Sequence, residues 1–186
     1  MNVTSKTNTI AKLGVLGALS VILVAIIHIS IFPAVSFLEY DPADIPILLA
    51  TFALGPWAGL ALTVVVSVIQ GVTVSAASSW YGIVMHIIAT GAYCLIAGIL
   101  YSKEKTKKRA ILSLILGTTA MVVVMIPANL LLTPIYLKML GIPDSAAFPM
   151  VVSLLIWIVL FNFVKAGINS LITFFLYKRV SGLLHK

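Results

Sequence analysis

WYGIVMHIIATGAYCLIAGILY, residues 80–101, runs into SKEKTKKR, residues 102–109, and then into AILSLILGTTAMVVVMIPANLLLT, residues 110–133. As a helix rising ~1.5 Å per residue, either flanking run is long enough to cross the ~30 Å hydrocarbon core of a bilayer. The segment between them holds Lys103, Lys105, Lys107, Lys108 and Arg109 against a single acid, Glu104. Two apolar crossings joined by a basic turn are the pattern of a membrane hairpin whose turn stays on the inner side.

The rest of the chain agrees with that reading. Of its 186 residues, 61% are apolar and 9% charged, whereas about 25% of an ordinary soluble domain is charged. A soluble fold of this size has no means of hiding so much apolar surface, and a bilayer removes the need. The net charge of +7 is not a nucleic-acid footprint. Its cations sit at the ends of hydrophobic runs, and no basic face interleaved with aromatics is present. Cys94 is the single cysteine, so no intrachain disulfide forms. The first apolar run, Leu13–Ile31, is longer than a signal-peptide core and lacks an A-x-A site after it, so it reads as a retained span.

Cutting the runs at Gly, Pro and charge clusters gives spans at 10–31, 44–55, 57–74, 80–101, 110–133 and 150–177, a single all-α transmembrane domain over 1–186. The second run would rise only ~18 Å as a helix, too little to cross alone. It must tilt, continue into partly buried loop, or be shielded by neighbours. Six crossings place both termini on one side. With that side cytoplasmic, ten of the twelve Lys and Arg residues fall inside, and Glu39, Asp41, Asp44 and Asp144 fall outside. The exceptions are Lys138, in an outer loop, and Lys165, within the last span.

Polar groups at membrane depth are costly and face a cavity or a partner. Here His28, Gln70, His86, Asn129, Asn162 and Lys165 lie between the outer ends and the middles of their spans. They predict a cavity open to the outside, lidded by residues 32–41 and 134–149. His28 and Gln70 lie close enough to the interface to be simply solvated. His86 reads equally as a site residue or a satisfied core histidine. Asn129 follows Pro127 and can bond backbone freed by that proline. Lys165 is the most demanding, because an unpaired ammonium at midspan costs at least ~2.5 kcal/mol. Snorkelling is a poor escape over the length of helix that separates it from Lys178, which leaves a ligand or a paired acid. Asn162, Lys165 and Asn169 share one inward face by their i, i+3, i+7 spacing.

The motifs of self-sufficient machines are missing. There is no G-x-x-x-x-G-K-[ST] loop for ATP, no H-E-x-x-H, no Cys/His ligand pattern for a metal, and no nucleophile set for an intramembrane enzyme. Every acid lies in a loop or at a helix mouth, where Asp44 before Ile45-Pro46 reads as a cap of the short second helix. A binder without catalysis or a cofactor is expected, driven by an engine elsewhere. Ala11, Gly14 and Ala18 form a small-residue stripe on the first span, suited to close contact with another helix, either of this chain or of a partner.

Several stretches together carry a family resemblance: Tyr40-Asp41-Pro42-Ala43-Asp44-Ile45-Pro46, Leu49-Ala50-Thr51-Phe52-Ala53-Leu54-Gly55-Pro56-Trp57-Ala58-Gly59, Asn129-Leu130-Leu131-Leu132-Thr133-Pro134-Ile135-Tyr136, and Phe161-Asn162-Phe163-Val164-Lys165-Ala166-Gly167. With them, nearly the whole chain resembles the substrate-binding S components of energy-coupling factor (ECF) transporters, most closely the riboflavin-specific branch. The resemblance implies a six-helix fold with a vitamin pocket near the outer face. It also implies partners in the bilayer and beyond it: a transmembrane coupling protein and two ATPase subunits. It further implies substrate contacts at Asn129 and Lys165, with His86 and Asn162 added from their depth, a closing loop at Leu38, Glu39, Tyr40 and Asp41, and a coupling face at Ala11, Gly14 and Ala18. Leu160, His86 and Ser67–Gln70 depart from the riboflavin pattern, which leaves pyridoxine, hydroxymethylpyrimidine and pantothenate as alternative solutes.

Overall fold

The computed structural model describes residues 3–184, with side chains described for residues 7–180. Lys186 and the Lys6 side chain, both counted among the inner charges, lie outside that description. Six α-helices dominate: α1 (Val3–Ile26), α2 (Asp44–Leu54), α3 (Pro56–Val72), α4 (Ser79–Lys103), α5 (Lys107–Met139) and α6 (Asp144–Leu184). Four of them, α1, α4, α5 and α6, are long and apolar enough to cross a membrane, whereas α2 and α3 fall short of that length.

The helix ends follow local chemistry. Helix α1 stops at Ile26, short of the predicted limit at residue 31, where the β-branched residues Ile27, Ile29 and Ile31 favour extended backbone. There β1 (Ile29–Ser30) pairs antiparallel with β2 (Glu39–Tyr40), setting Ile29 opposite Tyr40 and Ser30 opposite Glu39. The loop between α1 and α2 is therefore a short hairpin, a small exception to the all-helical expectation. Its buried Val35 anchors it to the bundle. Gly55 takes φ +101° between α2 and α3, a left-handed turn that glycine allows, and Pro56 opens α3 with its ring preset for a helix. Thr106 caps α5 by accepting the backbone N–H of Arg109 at 3.2 Å.

The connection between α5 and α6, expected on the outer side, is much shorter than predicted. Residues 134–149 were expected as a loop, yet Pro134 and Pro149 both lie inside helices. Each proline removes one backbone bond, a loss that packed neighbouring helices can absorb. Helix α5 runs on to Met139, Gly141 turns the chain with φ +90°, and a Lys138–Asp144 ion pair of 3.2 Å closes the turn.

The core is built around α2. Every residue from Asp44 to Phe52 is buried, which answers how so short an apolar helix is tolerated: its neighbours shield it. At the basic end, Phe52 stacks on Tyr101 with ring centres 4.3 Å apart and meets Tyr177 edge-on at 5.3 Å. The α2–α3 turn also presses so closely on α4 that a Cβ added at Gly98 would lie 2.8 Å from the Pro56 Cα.

Candidate functional site

Helix α2 begins with an acid facing apolar surroundings, and the bundle has gathered partners for it. Asp44 is fully buried. Its Oδ1 accepts from Thr90 Oγ1 at 2.7 Å and lies 3.1 Å from His86 Nε2, while its Oδ2 accepts from Asn169 Nδ2 at 3.1 Å. Three residues earlier, Asp41 is also buried, and its Oδ2 accepts from Lys165 Nζ at 2.8 Å. Its Oδ1 accepts the backbone N–H of Ala43 at 3.0 Å, and its carbonyl accepts from Asn169 at 3.3 Å. Tyr40 completes the join by donating to Asn169 Oδ1 at 3.1 Å. Burial, reinforced by the Asp41 carboxylate, raises the Tyr40 phenol above its ordinary value, so it remains a donor through neutral pH.

His86 links this cluster to α3. Its Nδ1 lies 2.7 Å from Ser67 Oγ, which in turn donates to the Thr63 carbonyl at 2.6 Å. Ser67 Oγ lies within hydrogen-bonding distance of both His86 Nδ1 and the Thr63 carbonyl, and His86 Nε2 reaches Asp44 from the other side of the ring. Two carboxylates are then faced by one ammonium and one imidazole, all satisfied by hydrogen bonds. That is the condition under which ionisable groups persist at such depth.

Several expectations need correction. Asp44 does not cap α2 with its side chain; its carboxylate instead receives bonds from α4 and α6. Asp41 and Asp44 lie in a loop and at a helix mouth as expected, yet both are buried. Lys165, expected to face a cavity, is only 6% exposed and is held by Asp41. An uncompensated ammonium would be costly, and the loop after α1 delivers Asp41 to neutralise it.

The predicted site residues divide into groups. Tyr40, Asp41, His86 and Lys165 meet in the cluster, joined by Asp44, Ser67, Thr90 and Asn169, none of which was predicted as a site residue. The i, i+3, i+7 spacing places Asn169 on the Lys165 face, whereas Thr90, one helical turn from His86, was missed although the same kind of spacing could have found it. Asn129 belongs to a second cluster: it donates to the Met125 carbonyl at 2.8 Å and accepts from Thr133 at 3.1 Å, and Thr133 pairs with the Tyr81 hydroxyl at 2.7 Å. Pro127 frees the Val123 carbonyl, so Asn129 does not satisfy the group it was expected to. Tyr81 presents one ring face to Tyr136, stacked at 4.4 Å and 7°. Asn162 is buried and donates back to the Ile158 carbonyl at 2.8 Å. Leu38 is half-buried and Glu39 exposed on the hairpin. His28 is exposed, and Gln70 keeps a buried Oε1 without a partner.

On α1, Ala11, Gly14 and Ala18 are exposed, and a Cβ added at Gly14 would meet nothing within 4 Å. A Cβ added at Gly17, by contrast, would meet Leu62 at 3.0 Å. The helix therefore uses Gly17 for packing within the chain and leaves the Ala11–Gly14–Ala18 stripe uncovered.

Comparison with known proteins gives this architecture its context. The riboflavin transporter RibU of Lactococcus lactis subsp. cremoris (strain NZ9000) is 28% identical over 127 residues, covering 67% of this chain. The chain spans only 62% of that relative's length. The riboflavin transporter FmnP of Bacillus subtilis (strain 168) is 30% identical over 76% of each chain. RibU of Staphylococcus aureus (strain TCH60) is 27% identical over 81% of this chain and 78% of its own. A solved structure described as "Structure and mechanism of the S component of a bacterial ECF transporter" superposes with a TM-score of 0.79 at 25% identity, covering 97% of this chain and 99% of that one. The protein is a multi-pass integral membrane protein with the S-component fold. Residues 8–177 match the family described as "ECF transporter, substrate-specific component", and the chain belongs to that family.

Proposed function

We propose that the chain captures riboflavin, or a closely related flavin, as the binding subunit of an uptake system energised by other chains. One observation carries the reading. In a chain of this family, α2, α3, α4, α6 and the hairpin after α1 converge on Lys165, Asp41, Asp44, His86 and Asn169. Riboflavin transport, named for three of its relatives, supplies the solute. In this reading Lys165, His86, Asn129 and Asn162 orient the polar edge of the solute between apolar walls, while Leu38, Glu39, Tyr40 and Asp41 close over it. Polar groups of the solute compete with Asp41 for Lys165, and that exchange frees the hairpin from α6.

The topology belongs to the same proposal: one domain, six crossings and both termini cytoplasmic, supported by the placement of Lys and Arg around the basic turn. A transmembrane coupling protein and two ATPase subunits supply the energy. The exposed Ala11, Gly14 and Ala18 stripe is the surface for the coupling protein, because small residues let helix backbones approach closely.

Purified protein saturated with riboflavin should be yellow after desalting, and its bound flavin fluorescence should be altered. Protein that stays colourless and ignores riboflavin overturns the solute. If that protein binds pyridoxine, hydroxymethylpyrimidine or pantothenate instead, the solute changes and the division of labour stands. Uptake into vesicles by this chain alone, without ATP, overturns the external engine.

A further inference from the structure

Solute capture leaves the basic end of the bundle unused, and its chemistry is unlike that of the polar cluster. A cavity of about 160 Å³ lies there, walled by Phe52, Tyr101 and Tyr177 and rimmed by Lys105, Lys107 and Lys178. Thr106, the cap of α5, also lines it. The turn at 103–109 and the end of α6 at 178–179 together carry seven basic side chains and one acid. Among the described residues, the ion pair recorded at this end joins Arg109 to Glu104 at 3.3 Å. The three lysines of the rim thus bring charge of one sign to a shared hollow. Helix α5 adds to it: its N-terminus carries partial positive charge, yet its first turn holds Lys107, Lys108 and Arg109 with no acid. An anion in the hollow relieves both repulsions.

The surroundings indicate which anion. The wall is aromatic rather than polar, as at a membrane interface. The two helices that flank the hollow, α5 and α6, continue away from it with exposed Ile111, Ile115 and Phe175. A small free anion has no use for those faces, whereas acyl chains lie along them.

We propose that this hollow binds the phosphate headgroup of an anionic phospholipid, held by Lys105, Lys107 and Lys178. Native mass spectrometry of the detergent-purified full chain, titrated with dioleoyl phosphatidylglycerol or dioleoyl phosphatidylcholine, tests it. Phosphatidylglycerol should be retained in preference to phosphatidylcholine. Lys105→Gln, Lys107→Gln and Lys178→Gln should each weaken that retention about fivefold, ~1 kcal/mol per basic group near an anionic surface, and the triple variant roughly a hundredfold. The triple Lys→Arg variant should keep it, and Lys138→Gln, at the far end of α5, should change nothing. Circular dichroism and elution volume check that each variant is folded. If the triple Gln variant misfolds, the exposed turn substitution Lys105→Gln decides alone. Equal retention of both lipids overturns the proposal, as does undiminished retention by a folded Gln variant. Displacement of the lipid by millimolar inorganic phosphate would make the hollow a free-anion site instead. Loss of the coupling protein from the Gln variants, with lipid retention unchanged, would make it a protein-docking surface.

Discussion

Helices α1 and α2 are both apolar and differ in almost everything else. Helix α1 has the length and hydropathy of an ordinary span, yet its described side chains are buried only at Leu16, Ser20 and Val24, a single line at i, i+4 spacing. Helix α2 is too short to cross alone, yet it is buried from Asp44 through Phe52. Hydropathy measures willingness to leave water, and lipid and protein interior accept apolar side chains about equally. What separates the two helices is what each carries besides apolar bulk. Helix α2 begins with Asp44, whose charge demands partners, and ends at a turn packed on α4. Helix α1 carries a stripe of small residues and no charge within its apolar run, so the bundle can leave it at the rim.

Substitutions can break this contrast, and the largest effect is expected where a buried charge is left alone. Lys165→Met strands Asp41 and should cost about 3–5 kcal/mol, read as a large drop in thermal midpoint in detergent. Adding Asp41→Asn should recover much of that loss, because removing both members of a buried pair is far milder than removing one. A single variant as stable as the parent would mean that the pair does not hold the hairpin. Because of this pairing, weaker solute binding by Lys165→Met alone does not establish contact with the solute, and the double variant is the cleaner comparison.

A smaller effect is expected where α4 meets the α2–α3 turn. Gly98→Ala places a methyl 2.8 Å from the Pro56 Cα, backbone that cannot rotate away, and should cost about 1–3 kcal/mol. Parent-like stability would show that the turn yields and that α2 is less tightly held than its burial suggests.

The smallest effect on stability is expected on α1. A Cβ added at Gly14 meets nothing within 4 Å and the position is exposed, so with Gly14→Leu the chain alone should keep its stability to within about 0.5 kcal/mol. Its association with the proposed coupling protein should fall sharply, as copurification would report. Marked destabilisation of the isolated chain would place the stripe inside the bundle; full association would remove it from the coupling face.

Much of the architecture was legible because it rests on one-dimensional quantities. The basic turn at 103–109 and the shortness of the second apolar run needed only counting. The helix limits were less legible. Pro134 and Pro149 read as breaks because their local cost is visible in sequence, whereas the packing that absorbs it is not. The site was legible at Lys165, where a midspan charge calls for an explanation wherever it occurs. Asp44 was misread as a cap because its neighbour Pro46 marks a helix start equally well in either role, and only the approach of Thr90 and Asn169 distinguishes them.

By itself the sequence determined that this protein lives in a bilayer, that its cations gather at the ends of its spans, and that a few polar groups are committed to its interior. These follow from transfer energetics, which act residue by residue. The tertiary structure alone decided which acid meets Lys165, that His86 joins Asp44 to Ser67, and that Gly17 faces inward while Gly14 faces out. Those outcomes depend on distances between helices far apart in the chain, and a buried charge states only that it needs a partner, not which one it will meet.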